Sequence, residues 1–80
     1  AVEDVNWLMG DERGRRIVFR WLEQAGIWQT VFDESLVKMA FKEGMRNAGL
    51  KLLAHITEHT PEQYAVMLQE VKKWKVNKLL

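Results

Sequence analysis

The chain has 80 residues, with 48% apolar and 29% charged side chains and a formal net charge of +1. That is ordinary globular composition, not the polar, charge-rich make-up of a disordered chain. The length allows one thin-cored domain and excludes a large catalytic scaffold with a separate cofactor fold. The absence of cysteine excludes a disulfide framework, a thiolate zinc site and a thiol nucleophile. The charge is uneven: residues 1–34 carry −3 and residues 35–80 carry +4, the densest basic stretch being Lys72-Lys73-Trp74-Lys75-Val76-Asn77-Lys78.

Four helical segments follow in chain order, which predicts an all-α fold: a compact bundle of three main helices plus a short N-terminal one, with residues 1–80 as a single helical domain and 71–80 as a basic helix end or tail. The short helix lies near Glu3 to Met9, is broken by Gly10, and hands over to Asp11, a good N-cap. The second runs from about Glu12 to Ala25, with Ile17, Trp21 and Ala25 as an apolar stripe, Val18 and Leu22 beside it, and Gly26 where a left-handed cap residue belongs. Residues 27–32 carry three β-branched residues, Ile27, Thr30 and Val31, but a lone strand has no partner, so they read as an apolar connector folded onto the helices. Asp33 or Ser35 then caps a long third helix to about Glu58. Its apolar positions cover more than one stripe, which predicts the central helix, and Gly44, Ala48 and Gly49 offer a surface for a bulky neighbour such as Trp21. Thr60-Pro61-Glu62-Gln63 is a helix start with Pro61 first and Gln63 closing a capping box. The fourth helix carries Tyr64, Met67, Leu68, Val71 and Trp74 at spacings of three and four.

Polar residues divide into groups. Asp11, Arg13, Arg16 and Glu23, with Arg15 and Arg20 nearby, read as a self-neutralising structural network; four arginines in eight residues also suit phosphate, but local acids outnumber them. Glu43, Arg46 and Asn47 interrupt the third helix and complete the same cluster, with Glu43 or Asn47 expected to bond to the Arg13–Arg16 segment. Lys72, Lys73, Lys75 and Lys78 could contact phosphate or an acidic surface, or simply complement a helix C-terminus. His55-Ile56-Thr57-Glu58-His59 matches the H-x-x-E-H pattern of zinc peptidases. We decline that reading, because so short a chain offers little to build a cleft and a third ligand, and imidazoles in a last turn suit the helix end. No serine or threonine has a partnered base. No catalytic residue, metal site or cofactor is therefore expected, and the chain is not read as an enzyme.

The aromatic residues are too many for so small a bundle to bury. Trp7, Trp28, Phe32 and Trp74, placed in a terminal segment, a connector and a basic helix end, are the candidate anchors for a protein partner. The acidic Ala1-Val2-Glu3-Asp4 is unlike a secretory n-region, and apolar runs are far too short to span a membrane.

Two blocks carry a resemblance. One is Asp4-Val5-Asn6-Trp7-Leu8-Met9 with Asp11-Glu12-Arg13-Gly14-Arg15-Arg16, continuing into Trp21-Leu22-Glu23-Gln24-Ala25-Gly26-Ile27-Trp28. The other is Phe41-Lys42-Glu43-Gly44-Met45-Arg46-Asn47-Ala48-Gly49-Leu50. Together they resemble, over roughly residues 4–70, a small domain family of tailed bacteriophages and prophages typified by a Bordetella phage protein. The resemblance implies a virion or morphogenesis setting, in the particle or the host cytoplasm, and brings no catalytic residues. The expected function is contact with other virion components or with further copies of itself, at the portal, internal core or tail. The alternative is a nucleic-acid-binding or host-directed regulatory module; a membrane role for the last helix is weaker still.

Overall fold

The computed structural model describes residues 2–76 and is all-α: α1 Val2–Met9, α2 Glu12–Gln24, α3 Leu36–His59 and α4 Pro61–Val76. Lys78 lies outside the described residues.

Local chemistry sets each helix boundary. Asp11 sits in extended conformation before α2, and its carboxylate accepts from the Arg13 amide at 2.7 Å. At the other end Gly26 takes φ 75°, the left-handed conformation glycine adopts without a Cβ penalty. The Ile27 amide reaches back to the Leu22 carbonyl and the Gly26 amide to Glu23, a Schellman closure whose flanking apolar residues, Leu22 and Ile27, both enter the core. Asp33 and Ser35 both act before α3. The Asp33 carboxylate accepts from the Ser35 amide at 2.9 Å, and Ser35 Oγ, the N-cap, accepts from the Lys38 amide at 3.3 Å. Asp33 also accepts from Lys42 Nζ at 3.0 Å, and these two bonds, the amide first, hold its carboxyl below the usual range.

The α3–α4 corner departs from the expected capping box. The Thr60 hydroxyl donates to the Ile56 carbonyl at 2.9 Å, ending α3, while the Thr60 carbonyl accepts from Tyr64 to begin α4. Gln63 turns its side-chain oxygen to Arg15 instead of back to the cap.

The buried core is Met9, Val18, Phe19, Leu22, Ile27, Ile56, Met67 and Trp74. Both α2 and α3 pack against each of the other three helices, but the core draws most on α2, which buries Gly14, Arg15, Val18, Phe19 and Leu22, and less on the longer α3, where only Gly49 and Ile56 are buried. The buried face of α2 also differs from the expected stripe. Val18 and Leu22 point inward, whereas Ile17 and Trp21 face solvent. The reason lies in the two glycine contacts. A Cβ on Gly14 would fall on the Leu8 carbonyl, so α1 crosses α2 in backbone contact there. A Cβ on Gly49 would lie 2.6 Å from Ala25 Cβ and 2.7 Å from Ile27 Cγ2. Of the small residues of α3, Gly49 thus receives Ala25 and Ile27, not Trp21, while Gly44 and Ala48 stay exposed. The resulting slab measures 39 × 32 × 14 Å, scarcely more than one helix thick, and so has little interior to offer its aromatic residues.

Candidate interaction surface

One side of the slab is closed by polar groups. Arg15 lies on the buried face of α2 and meets Glu70 of α4 in a two-pronged pair, Nε to Oε1 at 2.7 Å and Nη2 to Oε2 at 3.0 Å. Its Nη1 donates to the Met9 carbonyl at the end of α1 at 2.9 Å and to Gln63 at 3.3 Å. One guanidinium therefore ties three helices and satisfies a carbonyl that α1 leaves open. The hydrogen bonds to Glu70 raise its pKa further, against the opposing effect of burial. Beside it Trp74 is wholly buried, with its indole N–H donating to Glu12 Oε2 at 2.9 Å. Glu12 also pairs with Lys73 at 2.8 Å, and the bonds from Lys73 and then Trp74 hold its carboxyl below the ordinary glutamate value.

This arrangement corrects two expectations. Trp74 is not a surface anchor: the carboxylate of Glu12 supplies the partner that lets an indole be buried at a helix end. The polar cluster is closed by α4, not by α3. Glu43 and Asn47 stand exposed on α3, Arg46 is half-buried, and among the described residues none bonds to the Arg13–Arg16 segment. The remaining members are dispersed. Asp11 caps α2, Arg13 is exposed, Arg16 lies over the Trp74 ring at 5.9 Å, and Glu23 meets Lys75 at 3.4 Å. Arg15, Glu70 and Glu12 carry the role instead. A sequence signal for them existed: Arg15 shares the three-and-four spacing of Val18 and Leu22, and Glu70 that of Met67 and Trp74. Each is a charge of opposite sign placed on an apolar face.

The basic end of α4 is partly spoken for. Lys73 pairs with Glu12, and Lys75 reaches Glu23 and lies 5.9 Å above the Phe19 ring; Lys72 is exposed. Among the described residues no three His, Cys, Asp or Glu side chains gather into a metal-holding group, and no helix is long and apolar enough to cross a membrane. His55 and His59 stack edge to face at 4.6 Å.

The other candidate anchors remain outside. Trp7 is 80% exposed and, with Ile17, borders an open groove of about 300 Å³ over the Gly14 crossing. Trp28 is half exposed and rests on Phe19 at 5.1 Å between ring centres. Phe32 is 69% exposed and leads into the first half of α3, where Leu36, Val37 and Phe41 are 75%, 80% and 68% exposed and Met45 is 40%. The periodicity of α3 misleads here, because a helix with apolar residues all round looks central whether or not anything covers it.

Residues 5–69 match the model of the Bbp19-like phage protein family, a span that takes in most of α1, all of α2 and α3 and the first half of α4. No match was found among curated proteins or among solved structures. The span agrees with the roughly residues 4–70 over which the resemblance runs and leaves Lys72, Lys73, Trp74, Lys75 and Lys78 beyond it. The chain belongs to the Bbp19-like phage protein family.

Proposed function

We propose that this chain is a small phage structural or morphogenesis protein that acts by protein–protein contact within the virion, at the portal, internal core or tail region, and performs no catalysis. One observation carries the reading: Phe32, Leu36, Val37 and Phe41, large apolar side chains close in sequence, are each more than two-thirds exposed. Clustered exposed apolar side chains mark surfaces awaiting a partner, and membership in a phage family supplies the setting. The pairing of Lys73 with Glu12 and of Lys75 with Glu23 favours protein contact over the nucleic-acid alternative, since it leaves a weaker positive face for phosphate.

The test is a binding series of the chain against purified portal, internal-core and tail components of its phage, with mass spectrometry of purified virions. The expected outcome is co-purification with the particle and binding to at least one component, lost on replacing Phe41 and Leu36 by serine. Absence from virions with no affinity for any component, or DNA affinity that falls steeply with salt, overturns the reading.

A further inference from the structure

α3 ends on two histidines whose rings lie side by side. His55 and His59 stand one turn apart on the same face, both half-buried, with ring centres 4.6 Å apart and planes inclined by 75°. Among the described residues neither ring makes a hydrogen bond. The exposed Glu58 brings a carboxylate oxygen to 3.8 Å from His59 Nε2, too far for a hydrogen bond and close enough to favour a cation. The open carbonyls of the last helical turn add partial negative charge at the same end.

The separation of the rings is that of a chelate. With a metal–nitrogen bond of ~2.1 Å and the ring centre ~1.1 Å behind each nitrogen, two imidazoles that meet one ion at about 90–110° have centres roughly 4.5–5.2 Å apart. The observed 4.6 Å falls at the right-angled end of that range. A right angle belongs to tetragonal and octahedral ions, not to tetrahedral ones. Turning an imidazole about χ2 leaves its centre nearly in place, and that torsion is soft. Each ring can therefore aim a nitrogen at a common point while the separation is kept.

We propose that His55 and His59 form a two-nitrogen site for a divalent first-row transition ion, copper(II) before nickel(II) and zinc(II), with water in the remaining positions. Neutral imidazole suits these ions and not the oxygen-seeking Mg²⁺ or Ca²⁺. Binding an ion here is separate from hydrolysis. A peptidase centre needs a third protein ligand and a cleft, and among the described residues no three His, Cys, Asp or Glu side chains form a metal-holding group. A chelate needs neither. The ion bridges the last two turns of α3 just before Thr60 ends the helix, so it favours the folded chain.

Titration calorimetry of the untagged chain with Cu²⁺, Ni²⁺, Zn²⁺ and Mg²⁺ tests it. The expected result is one Cu²⁺ per chain, weaker binding of Ni²⁺ and Zn²⁺, and none of Mg²⁺. Zn²⁺ moves the imidazole NMR signals of both histidines together, and Ni²⁺ raises the melting temperature by several degrees. His55→Ala or His59→Ala reduces the chelate to a single ligand and weakens Cu²⁺ binding at least about tenfold, with circular dichroism showing an intact helix. Thr57→His combined with His59→Ala keeps two histidines but turns them to different faces of the helix, and does not recover the affinity. Failure to bind Cu²⁺, an affinity unchanged by loss of either ring, or equal affinity in the Thr57→His, His59→Ala variant overturns the proposal.

Discussion

The inner face of α2 and the first half of α3 are both rich in apolar side chains, yet one is sealed and the other bare. On α2, Val18, Phe19 and Leu22 are buried, and the charge among them, Arg15, is matched by Glu70. On α3, Leu36, Val37 and Phe41 stand in water. The difference is one of reach. With a rise of 1.5 Å per residue, α3 is about 36 Å long while α2 and α4 are about 20 and 24 Å, so α3 outruns the helices that could cover it. Apolar content states a demand for burial; the lengths and crossings of neighbouring helices decide whether it is met.

The largest effect should come from breaking the sealed side. Trp74→Ala removes a wholly buried indole and leaves a cavity, for an expected loss of about 3–5 kcal/mol in urea unfolding. Trp74→Phe keeps most of the bulk but drops the bond to Glu12, and should cost about 1 kcal/mol. If Trp74→Ala were as mild as the phenylalanine variant, the sealed side would not be the source of stability.

Two glycines five residues apart on α3 sharpen the comparison within one helix. Gly49→Ala drives a methyl into Ala25 and Ile27, and after the gain in helix propensity should still destabilise by about 1–2 kcal/mol. Gly44→Ala meets open space and should stabilise the fold by up to about 1 kcal/mol. Thermal melts of the two variants should therefore move in opposite directions.

The smallest effect is acidic. Glu12 and Asp33 both have folded pKa values below their ordinary ones. Their contribution to stability is thus complete at neutral pH and is lost as pH falls below about 4.5 and through the lower folded values. Melting temperature should decline over that acid range, and Glu12→Gln should flatten the Glu12 share of the decline. A rise in stability on acidification would contradict both assignments.

Much of the fold was legible in the residues because it is local. Asp11, Gly26, Ser35 and Pro61 mark helix ends through chemistry confined to a few neighbours. Trp7 and Phe32 were legible as exposed aromatics because a terminal segment and a connector have few neighbours to hide them. Trp74 was not, since its burial depends on a carboxylate 62 residues away. Nor was the bareness of Phe41, which depends on how far α2 and α4 extend.

What the sequence by itself determined is the set of helices, their caps and the membership of a phage family, all properties of contiguous residues. Only the tertiary structure decided which face of α2 is inside, that Arg15 joins α4 rather than α3, and that the front of α3 stands uncovered among the described residues. Those outcomes depend on the backbone contact at Gly14, the close packing at Gly49 and a slab too thin to enclose every apolar side chain, and no single helix encodes them alone.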